Sequence, residues 1–323
     1  VMHGPYPEKT KHSIGFLDLS LLKAANVIKL NVDCTQKSLY AFVAAVNRAG
    51  VPLTKFSDGE LEAFIQSSKK ALHLKAFEDA AVIDAFALIR EIAARKVAMR
   101  PFDVQLIGGW IMLKGMVAEM RTGEGKTLTA VLPACTAAMA GIPVHIITVN
   151  DYLVQRDAEL MGPIYQTLGL SVGTIVDGMD FASRQAAYGC DITYCSNKQL
   201  TFDYLKDRLV LGRKSSRMQL QLNRLYSHQD TKASQLLLRG LCFAIVDEAD
   251  SVLVDESRTP LVLSREIQSL KQLLVYQQAL QIAHQLKTKV DFVINQRSRA
   301  IELTESGKTR VKNLVEPLYL THI

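Results

Sequence analysis

An α/β architecture, a parallel sheet with helices on both faces, is the fold class this sequence predicts, and three observations carry it. Across residues 111–263, short apolar runs alternate with helical stretches. Within that region, Met120-Arg121-Thr122-Gly123-Glu124-Gly125-Lys126-Thr127 follows one apolar segment. Further on, Val246-Asp247-Glu248-Ala249-Asp250 closes another. Short apolar strands separated by helices form a sheet whose two faces are both covered, which is the parallel arrangement.

Residues 1–50 carry no motif. Lys9, Lys11 and His12 precede an apolar stretch, 14–25, that Asp18 and Lys23 interrupt. That predicts an amphipathic helix on a soluble surface rather than a secretory signal, with a membrane face or a partner as the alternative resting place. Residues 56–99 have a helical pattern that opens on Ser57-Asp58-Gly59-Glu60, a capping-box spacing. A second helix through 80–89 is too densely apolar for an exposed face. Residues 116–120 read as a strand feeding the glycine-rich turn, 128–140 as a small-residue helix, and 144–149 as a β-rich run. The stretch 187–193 leads into another strand, and 242–246 is an unbroken apolar one. After Ser264 the composition shifts to a Gln- and Leu-rich helix over 267–286. Residues 290–294 and 300–303 flank a hairpin turn, and Thr304 opens a further helix. Three regions follow: an N-terminal helical segment, 1–55; a nucleotide-binding domain, 56–264; and the start of a small α+β domain, 265–323.

The chain has 323 residues, 48% hydrophobic and 22% charged, an ordinary globular balance. No uncharged apolar run approaches the roughly 18 residues of a membrane span. Cys34, Cys135, Cys190, Cys195 and Cys242 are odd in number and contain no C-x-x-C pair, so neither a disulfide framework nor a zinc site is expected. Such thiols fit a reducing cytoplasm. The net charge of +6 favours acidic partners: nucleic acid, anionic lipid or nucleotide. Part of the excess is local, because seven Lys/Arg stand against the single acid Asp230 between Arg208 and Gly240. A solvated loop is the default reading of such a run.

The chemistry comes from three places. Gly123 and Gly125 permit positive φ and close backbone approach, so successive N–H groups can face phosphate oxygens. Lys126 supplies a charge for the β- and γ-phosphates and Thr127 a hydroxyl for Mg²⁺, with the dipole of the following helix behind them. Met120 stands where the strict G-x-x-x-x-G-K-[ST] pattern has its first glycine, but the T-G-x-G-K-T core is intact. At the end of the apolar run, Asp247 is placed to hold Mg²⁺ through water, and Glu248 to orient and deprotonate the attacking water. About twenty residues before the phosphate loop, Gln105 is placed to read adenine through its amide, with Met99 and Phe102 beside the ring.

The chain resembles the first nucleotide-binding domain of the SecA preprotein translocase ATPase family. The resemblance rests on Phe102-Asp103-Val104-Gln105-Leu106-Ile107-Gly108-Gly109, on the run from Ala118 to Thr129, on Thr148-Val149-Asn150-Asp151-Tyr152-Leu153-Val154-Gln155-Arg156-Asp157 and on Phe202-Asp203-Tyr204-Leu205-Lys206-Asp207. It ends strongly over 246–264, including Glu256-Ser257-Arg258-Thr259-Pro260-Leu261, and spans about residues 55–323. It implies a P-loop, RecA-like (DEAD-type motor) parallel sheet with flanking helices, followed by the start of a preprotein-binding domain. By position, Met99, Phe102 and Gln105 would meet adenine. Arg121, Thr122, Gly123, Glu124, Gly125, Lys126 and Thr127 would bind phosphates. Thr127 and Asp247 would hold Mg²⁺, with Asp247, Glu248 and Lys126 catalytic. The segment 148–157 would couple nucleotide state to moving parts.

The implied ligands are ATP and ADP; the implied partners are the Sec translocon channel and unfolded preproteins. The implied place is the cytoplasm, at the inner face of the plasma membrane. Three departures stand beside this. Residues 1–50 align with nothing in the family; the basic stretch is longer than expected there, with contact to anionic lipid a guess; and the family's second nucleotide-binding domain, with its phosphate-stabilising arginines, is missing. A truncated, nucleotide-binding accessory protein is therefore the alternative to a motor. A DEAD-type nucleic-acid helicase shares Gln105, Lys126 and Asp247–Asp250. It is disfavoured by the lack of a Ser-Ala-Thr tripeptide after Asp250 and of an aromatic-interleaved basic groove.

Overall fold

The computed structural model describes residues 35–211, 235–256, 270–295 and 300–319. The expected amphipathic helix at 14–25, Cys34, most of the basic stretch and residues 257–264 lie outside them. The chain divides into two compact units between Leu261 and Val262.

The first unit opens with four helices, α1 (Gln36–Leu53), α2 (Asp58–Lys75), α3 (Asp79–Val97) and α4 (Asp103–Leu113). The Ser57/Glu60 capping box closes as the spacing predicts: the Ser57 hydroxyl accepts from the Glu60 amide, and the Glu60 carboxylate accepts from the Ser57 amide at 2.8 Å. α1 packs on α3 and α4 on the next helix, α5 (Lys126–Met139). Stacking of Phe42 on Trp110, ring centroids 4.4 Å apart, joins α1 to α4.

The sheet follows as β1 (Val144–Thr148), α6 (Asp151–Thr167), β2 (Val172–Ile175), α7 (Phe181–Tyr188), β3 (Ile192–Ser196), α8 (Asn197–Leu211) and β4 (Phe243–Val246). Its order is β2-β3-β1-β4 and every pairing is parallel, Val144 lying opposite both Ile192 and Phe243. All five residues of β1 and of β3 are buried. Side chains alternate between faces with period two. Val144, Ile146, Ile192, Tyr194 and Ile245 join the core under α1–α6. Ile147, Cys195 and Val246 join a second core with Ile175, Tyr188, Leu211 and Leu236–238. This is the doubly covered parallel sheet with flanking helices that the apolar runs imply.

The second core is fastened by carboxylates on α8. Buried Asp207 accepts the backbone amides of Leu237 and Leu238, both at 2.8 Å, and so pins the chain where it returns toward β4. One turn earlier, buried Asp203 pairs with the buried Arg184 guanidinium at 2.7 Å and accepts from the Tyr188 hydroxyl at 3.1 Å.

Two expectations are corrected. Residues 116–120 have side chains that alternate half-buried and exposed, but they belong to no strand. A strand exists through its ladder, and no described segment pairs with this one. Conversely, β2 was not anticipated. It has four residues, lies at a sheet edge and contains Gly173, so it lacks the continuous apolar signature. The glycine is required there, because a Cβ would overlap the Ala187 carbonyl on α7.

In the second unit, α9 (Leu270–His284) precedes an antiparallel hairpin, β5 (Phe292–Asn295) with β6 (Ala300–Leu303), Phe292 opposite Leu303. α10 (Glu305–Tyr319) follows, and the Thr304 hydroxyl accepts from the Gly307 amide at 3.1 Å as its N-cap. Among the described residues no helix is long and apolar enough to cross a membrane. Cys135 and Cys195 are buried free thiols, and Cys190 and Cys242 are half-buried.

His145, in the middle of β1, is buried beside Tyr188, and burial pushes its imidazole down to about 4. Between pH 6.5 and that value the unfolded chain binds the proton and the folded one does not. Stability from this residue is therefore full above pH 6.5 and falls as the pH drops. Urea unfolding should show the wild type losing about 2 kcal/mol more than His145→Leu between pH 7.5 and pH 5.

Candidate nucleotide site

α5 leads into β1 through a short turn and packs against β1 and β4, whose carboxyl ends lie at one edge of the sheet. Ligand sites of open α/β sheets form at that edge. Asp247 follows β4 at the same edge, where its amide donates to the Ile147 carbonyl at 2.9 Å. The helix behind one motif and the strand before the other thus pack against each other, although they are distant in sequence.

The phosphate loop turns through two left-handed glycines, Gly123 (φ +89°) and Gly125 (φ +80°), the latter serving as the N-cap of α5. Glycine supplies no side-chain cap, so the leading amides of α5 remain available to an anion. Arg121, Thr122, Gly123 and Glu124 are exposed; Gly125, Lys126 and Thr127 are half-buried. The Glu124 carboxylate folds back to accept the Arg121 amide at 2.8 Å, which tightens the turn.

Gln105 is buried, and the chain itself uses both ends of its amide. Its Oε1 accepts the Phe102 amide at 2.8 Å, capping α4, and its Nε2 donates to the Glu124 carbonyl at 2.8 Å. A Cβ on Gly125 would overlap that amide group. Gln105 therefore fastens the phosphate loop to α4, a role its place in the sequence did not reveal. A two-point contact with adenine requires Nε2 to release Glu124, while the second lone pair of Oε1 stays available. Phe102 is 71% exposed, an open ring beside the loop, whereas Met99 is half-buried against the core.

On the acidic side, Asp247 is half-buried and Glu248 exposed. Glu248 has φ +53°, a left-handed conformation uncommon for a residue with a Cβ, and its amide donates to its neighbour's Asp247 Oδ1 at 3.0 Å. Backbone strain of this kind clusters where function fixes geometry. From the segment 148–157, Asn150 caps α6 by accepting the Leu153 amide at 3.0 Å. Arg156 donates to buried Asp157 at 2.7 Å, a bond that, with the nearby charge of Asp247 contributing less, raises its pKa.

Among the described residues no group of three or more His, Cys, Asp or Glu could hold a metal by itself. The donors present suit Mg²⁺ another way. One hydroxyl, Thr127, and one carboxylate, Asp247, are what a hard octahedral ion takes from protein when phosphates and water complete its shell.

Fold and site together define a P-loop α/β domain of the DEAD-like class. A family model described as the SecA DEAD-like domain matches residues 24–317. The chain belongs to the SecA family. Its relatives include a protein translocase subunit SecA 2 of Nitrosospira multiformis, 42% identical over 311 residues that cover 96% of this chain and 46% of that protein. A SecA 2 subunit of Bordetella avium is 51% identical over 71% of this chain and 34% of its own length. A protein translocase subunit SecA of Syntrophus aciditrophicus is 44% identical over 84% of the chain and 30% of its length. The chain spans less than half the length of these relatives. The family match begins at residue 24, and the Nitrosospira multiformis relative aligns over 96% of the chain, so the expectation that residues 1–50 align with nothing in the family is corrected. That segment lacks motif residues, so the likeness there leaves no legible string.

If Gln105 fastens the loop, Gln105→Ala should lower stability by about 1–2 kcal/mol in urea without any nucleotide, because it strands the Phe102 amide and the Glu124 carbonyl. A glutamine that only read a ligand would leave ligand-free stability unchanged.

Proposed function

We propose that this chain is the first ATP-binding domain of a protein-export motor, which binds Mg²⁺-ATP and couples its hydrolysis to movement of unfolded preproteins through the Sec translocon. What supports this reading is a left-handed glycine turn that caps α5 and a paired-acid motif that directly follows β4, in a chain of the SecA family. The hairpin unit after Leu261 would be the start of the preprotein-binding domain, and the place of work the cytoplasmic face of the membrane.

In this reading the leading amides of α5 and the Lys126 ammonium bind the β- and γ-phosphates. Thr127 and Asp247 hold Mg²⁺, which when bound neutralises charge on the phosphate oxygens. Glu248 orients a water for in-line attack and takes its proton, so that water adds to the γ-phosphorus as the bond to ADP breaks. Phe102 offers a face to the adenine ring. Release of Gln105 Nε2 from Glu124, in exchange for the base, would tell the phosphate loop that adenine is present.

A second reading is a nucleotide-binding accessory protein without turnover.

ATP affinity and turnover of the 323-residue chain and its Glu248→Gln variant, with and without an added second nucleotide-binding domain, separate the two. For a motor, turnover near background rises at least about a hundredfold on addition of the domain and disappears in the variant. Tight ATP binding with no hydrolysis under either condition would establish the accessory protein instead.

A further inference from the structure

The left-handed Glu248 begins a loop whose far end is also held. Beyond it, the Val252 amide donates to the Glu248 carbonyl at 3.1 Å, and Ser251–Asp255 forms a π-helical turn. The Glu256 amide closes that turn on the Ser251 carbonyl, five residues back. A π turn contains one residue more than an α turn, and such insertions recur at functional sites. Here the extra residue rotates the chain so that the Glu256 side chain meets the start of α8.

There the Glu256 carboxylate makes two contacts. Oε2 accepts from Asn197 Nδ2 at 2.6 Å, and Oε1 lies 3.3 Å from Lys198 Nζ. Asn197 and Lys198 directly follow β3, at the same carboxyl edge of the sheet as Asp247. The Asn197 bond, ahead of Lys198, holds the Glu256 carboxyl below its ordinary range. Asn197 Oδ1 is buried with no hydrogen-bond partner, so the orientation of that amide depends on Glu256 alone among the described residues. Within the turn itself only Val252 is buried; Leu253 and Val254 are about two-thirds exposed. The loop is thus anchored by β4 at one end, by Val252 in the middle and by the Glu256 contacts at the other end.

We propose that Asn197, Lys198 and Glu256 form a latch that holds the loop 247–256 in its π-helical register and so keeps Glu248 in the left-handed conformation that presents its carboxylate at the site. Glu256 is then a positioning residue. Its effect on turnover rests on the reading of Glu248 given above; the latch itself does not. With the latch open, the turn is free to relax to α-helical spacing. Glu248 then returns to the more favourable right-handed region, which is lower by about 1–2 kcal/mol.

The test compares wild type, Glu256→Ala and Glu256→Gln, the last of which keeps an oxygen for Asn197. Amide hydrogen exchange is measured first, on the 323-residue chain without nucleotide. The latch requires exchange over 248–256 to quicken at least about tenfold in Glu256→Ala, to stay near wild type in Glu256→Gln, and to leave β1 and β3 unchanged. Unchanged exchange in Glu256→Ala overturns it. Turnover is then measured with the second nucleotide-binding domain added. Positioning requires Glu256→Ala to lower kcat about tenfold with ATP affinity within about twofold, and Glu256→Gln to restore most of it. Faster exchange with unaltered kcat overturns the positioning role and leaves a structural latch. Absence of turnover in the wild type, or full turnover in Glu248→Gln, overturns the motor reading and the positioning role with it, while the exchange result still decides the latch.

Discussion

Complete burial of β1 and β3 is the constraint from which the rest of the first unit follows. A strand with no solvent face must find apolar cover on both sides, and its polar backbone must be satisfied by neighbouring strands. Helices α1 to α6 provide one cover. The other is thinner, and needs the chain to return at Leu236–238 under α8. That return is fixed by charge: Asp207 takes two backbone amides, and the Arg184–Asp203 pair braces α7 against α8. Removing one partner of so buried a pair costs about 3–5 kcal/mol, because the other is left charged and unsolvated. Cover on the second face is therefore conditional on a few ionised groups. His145, neutral within the same sheet, adds a dependence on pH of its own.

A sheet secured in this way gives a rigid edge, and one strained residue, Glu248, lies just past the end of β4. Gly123, Gly125 and Glu248 all have positive φ. For the glycines that conformation costs little; for Glu248 it persists only because the neighbouring structure enforces it. Gln105 holds the glycine turn from one side by hydrogen bonds to backbone on α4 and on the loop. Glu256 holds the acidic loop from the other by contacts at the start of α8. Each restraint is a side chain reaching across to another element.

The sequence makes the sheet legible because a parallel strand buried on both faces has few ways to be written. Val144-His145-Ile146-Ile147-Thr148 and Phe243-Ala244-Ile245-Val246 are continuous and bounded by turn residues. β2 escapes for the opposite reason: four edge residues with a glycine have no periodic signature, and only the close approach of α7 explains the glycine. Residues 116–120 show the converse error, an apolar segment mistaken for a strand because ladder partners cannot be read from one segment. At the site, glycines, lysine, threonine and paired acids announce themselves by residue type and spacing. The reach of Gln105 to Glu124 and of Glu256 to Asn197 depends on which helix starts meet at the sheet edge. That is a tertiary fact, with nothing in local sequence to mark it.

The edge that carries these groups is also open. Phe102 and Tyr152 are each 71% exposed, Leu253 and Val254 about two-thirds, and Glu248 faces solvent. If Glu248 takes a proton from a water, as proposed, it works poorly in bulk water, where other waters compete and every electrostatic interaction is weakened. Exposed apolar groups are what a covering surface would bury, and on the proposed reading such cover would also exclude water. The rigid sheet edge, the restrained acidic loop and the exposed rim then have a common sense. On the proposed reading the charged groups are arranged in advance, so that the energy of any closure need not be spent on arranging them.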